Sequence, residues 1–291
     1  MNVYTIETGF FKLDGGAMFG VVPKSIWSKL CPADENNLCS WAMRCLLIED
    51  ENRLILVDNG IGDKQDAKFL GHYHLHGDDS LDRSLAKHGF HRDDITDVFL
   101  THLHFDHCGG SIMRQGERLV PAFRNAQYWS NERHWKWATE PNEREKASFL
   151  KENINPILES GQLRMIGLEG TVPGSVEVNR PLASSIISSL SVRLANGHTD
   201  AMMLPQFIYK GRTLVYMADL LPSAAHIPIP YVMAYDMFPL TTLHEKKAFL
   251  QEAAARDMIL FFEHDPVYEC CTLVLTEKGV RVNALFKLNE I

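Results

Sequence analysis

The sequence predicts an α/β fold in which sheets and helices pack as a layered sandwich, read as one domain over residues 1–291. Three observations predict it. Strand-like runs fill the N-terminal third and return beyond residue 162. Helix-like stretches are interposed at 81–88, 130–160 and 243–255. No linker-like break, internal repeat or low-complexity tract divides the chain.

In order, residues 3–13 are apolar and β-rich, and Asp14-Gly15-Gly16 reads as a hairpin leading into a strand over 17–22. Residues 43–48 and 53–57 read as two strands around a polar turn. Residues 59–80, rich in Gly, Asp and His, read as a long loop. A helix over 81–88 follows, closed by Gly89 as its C-cap. A short strand over 97–101 runs into His102-Leu103-His104-Phe105-Asp106-His107, with Gly109-Gly110 close behind. Residues 130–160 are rich in charge and Trp at helical spacing and read as one or two helices inserted between strands. Strands are expected at 190–194, 202–209, 213–217, 258–262, 271–275 and 279–286, with a helix over 243–255 before the last three.

Composition narrows the function. Lys+Arg total 29 against Asp+Glu 37, a net charge of −8, with 45% hydrophobic and 23% charged residues. These values exclude a disordered or fibrous chain. The acidic balance gives no reason to expect nucleic acid or an anionic membrane as partner, and no stretch approaches the roughly 18 apolar residues of a membrane helix. The start Met1-Asn2-Val3-Tyr4, with Glu7 close behind, resembles neither a signal nor a transit peptide. Six cysteines, at 31, 39, 45, 108, 270 and 271, have no repeated CxxC spacing, so reduced thiols in a cytoplasmic protein are expected.

The chemistry concentrates at residues 102–107, where His102, His104, Asp106 and His107 are four potential metal ligands. Imidazole and carboxylate together suit zinc or another first-row divalent ion. On extended chain His102 and His104 share a face and Asp106 continues the series, while His107 breaks it, so the segment can feed two adjacent metals. Gly109 and Gly110 let backbone pack closely behind. Packing alone has no need of three imidazoles and a carboxylate at a strand end. Further ligands must come from elsewhere, and His198, Asp219 and His264 each follow a strand-like run, where strand ends converge on one rim.

HxHxDH, the Gly197-His198-Thr199 triplet, Ala218-Asp219 after a strand and the late His264 together resemble the metallo-β-lactamase fold superfamily. The segment Leu56-Val57-Asp58-Asn59-Gly60-Ile61-Gly62 resembles its early strand-turn. Leu13-Asp14-Gly15-Gly16-Ala17-Met18-Phe19-Gly20 makes the chain most similar to the branch of N-acyl-homoserine lactonases and methyl-parathion-hydrolase-like enzymes. The resemblance implies a four-layer αββα sandwich and two divalent metal ions, zinc first, with manganese and iron also compatible. It assigns His102, His104 and His198 to one ion, Asp106, His107 and His264 to the other, and Asp219 to the bridge, with Asp106 and Asp219 as the catalytic carboxylates. It implies a metal-bridging hydroxide that hydrolyses an ester, lactone or phosphotriester. His104 stands where flavodiiron-type electron carriers use Glu, favouring hydrolysis. Asp219 stands where zinc β-lactamases have Cys, disfavouring β-lactams. Pro222 stands where the lactonases place a Tyr, three residues after the bridge, which counts against homoserine lactones. A small-molecule substrate is expected, and a homodimer by analogy. The alternatives are a metal-binding protein without catalysis, or a phosphodiesterase or nuclease of the same superfamily.

Asp58 and Asp265 are candidates either for orienting ligand imidazoles or for capping turns. His72, His74 and His76 read as a solvated loop, and Tyr231, Tyr235 and His226 as structural residues. Trp129, Trp135 and Trp137 fit a pocket wall or helix packing equally, Phe105, Trp129 and Phe238 are the expected apolar walls, and the charges over 140–151 read as a solvated helix face.

Overall fold

Among the described residues of the computed structural model (1–168, 171, 178, 181–184 and 186–291), the periodic runs become fifteen strands and eight α-helices. The chain begins with β1 (Asn2–Asp14), α1 (Gly15–Phe19), α2 (Lys24–Trp27), β2 (Leu38–Asp50), β3 (Arg53–Val57), α3 (Ala67–Gly71) and α4 (Leu81–Lys87). It continues with β4 (Asp97–Phe99), α5 (Phe105–Cys108), β5 (Ile112–Gln115), β6 (Arg118–Pro121), β7 (Gln127–Ser130), α6 (Glu132–Thr139), α7 (Lys151–Glu159) and β8 (Leu163–Met165). Then come β9 (Leu182–Ala183), β10 (Ser191–Ala195), β11 (Met202–Tyr209), β12 (Arg212–Tyr216), α8 (Pro239–Ala255), β13 (Ile259–Phe261), β14 (Cys270–Thr276) and β15 (Gly279–Phe286).

Two expectations fail locally. The Asp14-Gly15-Gly16 triplet opens α1 and not a hairpin, because the Asp14 carboxylate accepts the Ala17 N–H at 2.8 Å and so caps a helix. Residues 17–22 are therefore helix and turn. The loop over 59–80 contains α3, capped in the same way by Asp66 on the Phe69 N–H at 2.7 Å. The helix expected over 81–88 is α4, with Ser80 as its N-cap and Gly89 at φ +81° just beyond it.

The chain divides into two units. The first, Met1–Phe10 with Met43–Leu168, carries most of the sheet ordered β1-β2-β3-β4-β7-β8. β2 and β3 form the expected antiparallel hairpin, while β3, β4, β7 and β8 run parallel. β3 is apolar on both faces and β4 fully buried, as befits parallel strands covered on both sides. Leu47, Leu56, Val98, Leu103, Tyr128, Phe149 and Ile157 belong to its core. Val57 lies opposite Phe99, so the chain leaves β3 and β4 at one edge.

The second unit, Phe11–Ala42 with Glu169–Ile291, carries the sheet ordered β15-β14-β13-β12-β11-β10-β9. β10, β11 and β12 are antiparallel in succession and β12 is parallel to β13, so β10, β12 and β13 all point the same way. Buried Arg193 of β10 holds α8 through paired contacts to Glu252 at 2.8 and 3.0 Å and lies over the Phe249 ring. Among the described residues no helix is long and apolar enough to cross a membrane.

Candidate metal centre

In the first unit, His102 lies three residues beyond the end of β4, and α5 begins at Phe105. His102 and His104 flank buried Leu103, their rings 4.5 Å apart between centroids. Asp106 sits with His107 on the first turn of α5, so helix replaces the extended run that would have continued the alternation. His107 places its ring 3.9 Å from that of His102. The two glycines behind are obligatory, since a Cβ on Gly109 would lie 2.1 Å from the Ile61 carbonyl oxygen and one on Gly110 2.2 Å from that of Asn59.

Each ring is held by its other nitrogen. Asp58, fully buried at φ +55°, accepts the Thr101 N–H at 2.8 Å and the Thr101 hydroxyl at 2.7 Å, and faces His107 Nδ1 at 3.2 Å. With its proton given to Asp58, the Thr101 oxygen accepts from His102 Nδ1 at 3.0 Å. Asp58 thus orients two imidazoles, one directly and one through Thr101. His104 is held instead at Nε2, 2.9 Å from Glu145 Oε1. Glu145 is 2% exposed and also accepts from Trp137 Nε1 at 2.6 Å, which corrects the solvated-face reading of residues 140–151. Buried His134 accepts the Leu103 N–H at 2.9 Å, fixing the backbone between His102 and His104. Lys64, buried and pushed down to about 8 by desolvation, donates to the Gly109 carbonyl.

In the second unit, His198, Asp219 and His264 each lie three residues beyond a strand end, those of β10, β12 and β13. Tyr216 pairs with Phe261, so Asp219 and His264 are equivalent positions on parallel neighbours. His198 Nδ1 is 2.9 Å from Asp236 Oδ1, and His264 Nδ1 donates to the Ala42 carbonyl at 2.7 Å. The Nε2 atoms of His198 and His264 then face separate oxygens of Asp219, each at 3.1 Å. A Cβ on Gly197 would meet Thr242 Oγ1 at 2.2 Å, so α8 abuts the His198 loop. From α8, Glu245 accepts the Asn196 and Gly197 N–H groups at 2.7 and 3.0 Å, and burial raises its carboxyl to about 7.

These contacts fit a divalent cation. The Ala42 carbonyl can only accept, so neutral His264 carries its proton on Nδ1 and turns the bare Nε2 lone pair toward a carboxylate oxygen. His198 does the same, with Asp236 as acceptor. Lone pair facing lone pair at 3.1 Å repels, and a cation turns the repulsion into two ligand sets. In the first unit, the buried His104 and His107 rings lie 4.5 and 3.9 Å from that of His102, a density of imidazoles that also suits a metal ion. All seven residues belong to buried groups of His and Asp side chains that suit a metal ion.

A family profile described as the Metallo-beta-lactamase superfamily matches residues 44–264. The chain belongs to the metallo-β-lactamase superfamily. Its α/β fold is that of the superfamily, and solved members share it closely. A probable metal-dependent hydrolase from Staphylococcus aureus superposes with a TM-score of 0.85 at 26% identity, over 98% of this chain and 96% of that one. AidC, a dizinc quorum-quenching lactonase in complex with a product, gives 0.74 at 21% identity, over 96% and 92%. An N-acyl homoserine lactone hydrolase with N-hexanoyl-L-homoserine at its catalytic metal center gives 0.65 at 19%, over 91% and 93%. A search of curated proteins gave no match.

The other candidates resolve plainly. Asp265 caps a turn, accepting the Val267, Tyr268 and Ala224 N–H groups. Trp129 is tied to Asp97 by its Nε1 at 2.7 Å, and Trp135 packs on the first unit's core. His226 is structural, bonded to Ser223 and the Met18 carbonyl and stacked on Phe19. Tyr231 meets Phe19 edge-on, Tyr235 is exposed, and so is Phe238. His76 stacks on Phe10, and among the described residues none of His72, His74 and His76 joins a metal-type group. Sequence reasoning missed Thr101, His134, Glu145, Asp236 and Tyr73. Tyr73 packs its ring 4.7 Å from Phe105.

Proposed function

We propose that the protein is a dinuclear metal-dependent hydrolase. His102, His104 and His198 would hold one ion and Asp106, His107 and His264 the other, with Asp219 shared between them. The observation that carries this reading is Asp219, whose two oxygens are each offered to a different imidazole at 3.1 Å, the arrangement a bridging carboxylate needs. The dizinc lactonase and the product-bound lactone hydrolase of the same fold support it. Bound metal supplies a Lewis acid and a water whose pKa falls to about 7.

The chain's own residues do the rest. Asp58, Glu145 and Asp236 hold the ring protons away from the ligand nitrogens, so each imidazole presents a lone pair in a fixed direction. Phe69, Tyr73 and Phe105 make an aromatic wall beside Asp106, with rings 4.7 to 5.4 Å apart. Burial and the nearby Asp106 carboxylate push the Tyr73 phenol up to about 12, so it stays a hydrogen-bond donor at every working pH. Such a wall suits an apolar acyl or aryl group on a neutral ester, lactone or phosphotriester.

The test is metal quantification of the full chain beside kcat/KM on a lactone, an aryl ester, a phosphotriester and a cephalosporin. Two metals per chain are expected, with the cephalosporin turned over slowest. One metal or none, or cephalosporin turnover above the other three, overturns the reading.

A further inference from the structure

Four of the five candidate imidazoles are held at Nδ1, by Thr101, Asp58, Asp236 and the Ala42 carbonyl. His104 alone among them is held at Nε2, and the group that holds it comes from the stretch between α6 and α7. Glu145 is built for this contact. One of its oxygens faces His104 Nε2 at 2.9 Å, while the other accepts from Trp137 Nε1 at 2.6 Å and Asn142 Nδ2 at 3.2 Å. Its own N–H is tied to Asn142 Oδ1 at 3.1 Å, and the Phe149 ring packs 4.8 Å from that of His104. A carboxylate 2% exposed is costly unless a positive partner compensates it. The imidazole can provide that compensation when its opposite nitrogen rests on a cation, and the carboxylate in turn makes that nitrogen a stronger donor.

We propose that Glu145 is a positioning residue: it fixes His104 by Nε2, leaves Nδ1 for the metal, and sets the affinity of one metal position without affecting the other. The inference rests on the dinuclear reading above. Trp137 and Asn142 hold Glu145 itself, so α6 and the turn that follows it act as a strut for one imidazole. The position it does not touch is backed by Asp58, through His107, and by a neutral carbonyl, through His264.

The experiment challenges the metal-loaded full chain with increasing chelator and counts the zinc retained. Cobalt-loaded protein, read by visible absorption, reports which environment changes. Wild type is expected to lose its two ions in steps. Glu145→Gln, nearly isosteric and still able to accept the ring N–H, is expected to release one ion at about 10- to 100-fold lower chelator concentration and the other unchanged. Trp137→Phe should shift the same ion by less. Thermal melting after complete metal removal should be modestly lower for Glu145→Gln than for wild type, because the amide nitrogen cannot accept from Trp137 and Asn142, and that loss falls on the fold and not on one ion. Retention of both ions as in wild type overturns the proposal, and so does equal weakening of both, the mark of a general loss of structure. A wild type carrying fewer than two ions overturns the dinuclear reading instead. Glu145 is then judged on the ion that remains, where unchanged retention in Glu145→Gln overturns its role.

Discussion

The first unit gathers four candidate ligands within residues 102–107, on the single turn from β4 into α5, whereas the second draws three from the ends of three separate strands. The supports differ accordingly. Around residues 102–107 one carboxylate, Asp58, serves two imidazoles, and the backbone is pinned at Leu103 by His134. In the second unit each imidazole has its own support, Asp236 for His198 and the Ala42 carbonyl for His264, and both face Asp219. A local turn concentrates its dependence on the group behind it. A set spread over strand ends concentrates its dependence on the one residue where the ligands meet.

Substituting that meeting point sharpens the contrast most. Asp219→Asn should leave the fold intact and lower kcat/KM by well over about 100-fold, beyond the usual cost of losing an orienting partner. It removes charge from both imidazoles at once, so both ions should loosen. Asp106→Asn, in the first unit, should loosen one. Metal counts on the two purified variants decide the matter, and equal losses would erase the distinction.

The supporting carboxylates come next. Asp58→Asn should weaken metal retention by about 10- to 100-fold and also cost about 1–3 kcal/mol of stability, because an amide nitrogen cannot accept what the Thr101 donors offer. Asp236→Asn should cost about tenfold in retention with little change in the denaturation midpoint, having one imidazole to release. Chelator challenge and urea unfolding on both variants test this, and a reversed order would show that Asp58 is not the shared support.

The same contrast explains what could be read in the sequence. A strand-end cluster such as His102-x-His104-x-Asp106-His107 is visible because its spacing is local, and Asp58 follows β3 in a readable strand-turn. His198, Asp219 and His264 are legible as candidate ligands only through strand-end placement and family resemblance, since the β12–β13 register that aligns two of them is set by pairing over 45 residues of separation. Glu145 had no such signal. It stands in a charged run that looks solvated, and burial against His104, 41 residues away, gives it a role. Asp236 is hidden likewise. At Asp14 the sequence signal for a turn was real, but a carboxylate followed by two glycines serves a helix N-cap as readily as a hairpin, and only the Ala17 contact distinguishes them.

The smallest expected effect concerns a buried imidazole that carries no ligand role, and it tests whether the second unit's histidines are otherwise inert. His226 is 1% exposed, is hydrogen-bonded to Ser223 and the Met18 carbonyl, and is driven down from 6.5 to about 3, chiefly by burial. Between those two values the unfolded chain binds a proton at this residue that the native protein refuses. The stability His226 protects is therefore fully present above pH 6.5 and drains away as the pH falls toward 3, at about 1.4 kcal/mol per pH unit. His226→Gln cannot titrate, so although it should be less stable at pH 7 by about 1–3 kcal/mol for imperfect hydrogen bonding, its loss on going to pH 5 should be smaller than wild type's by about 2 kcal/mol. Urea unfolding of both proteins at the two pH values measures this. The ligand histidines are common to both and drop out of the comparison. Equal losses in the two proteins would show that the native state already accommodates a proton on His226.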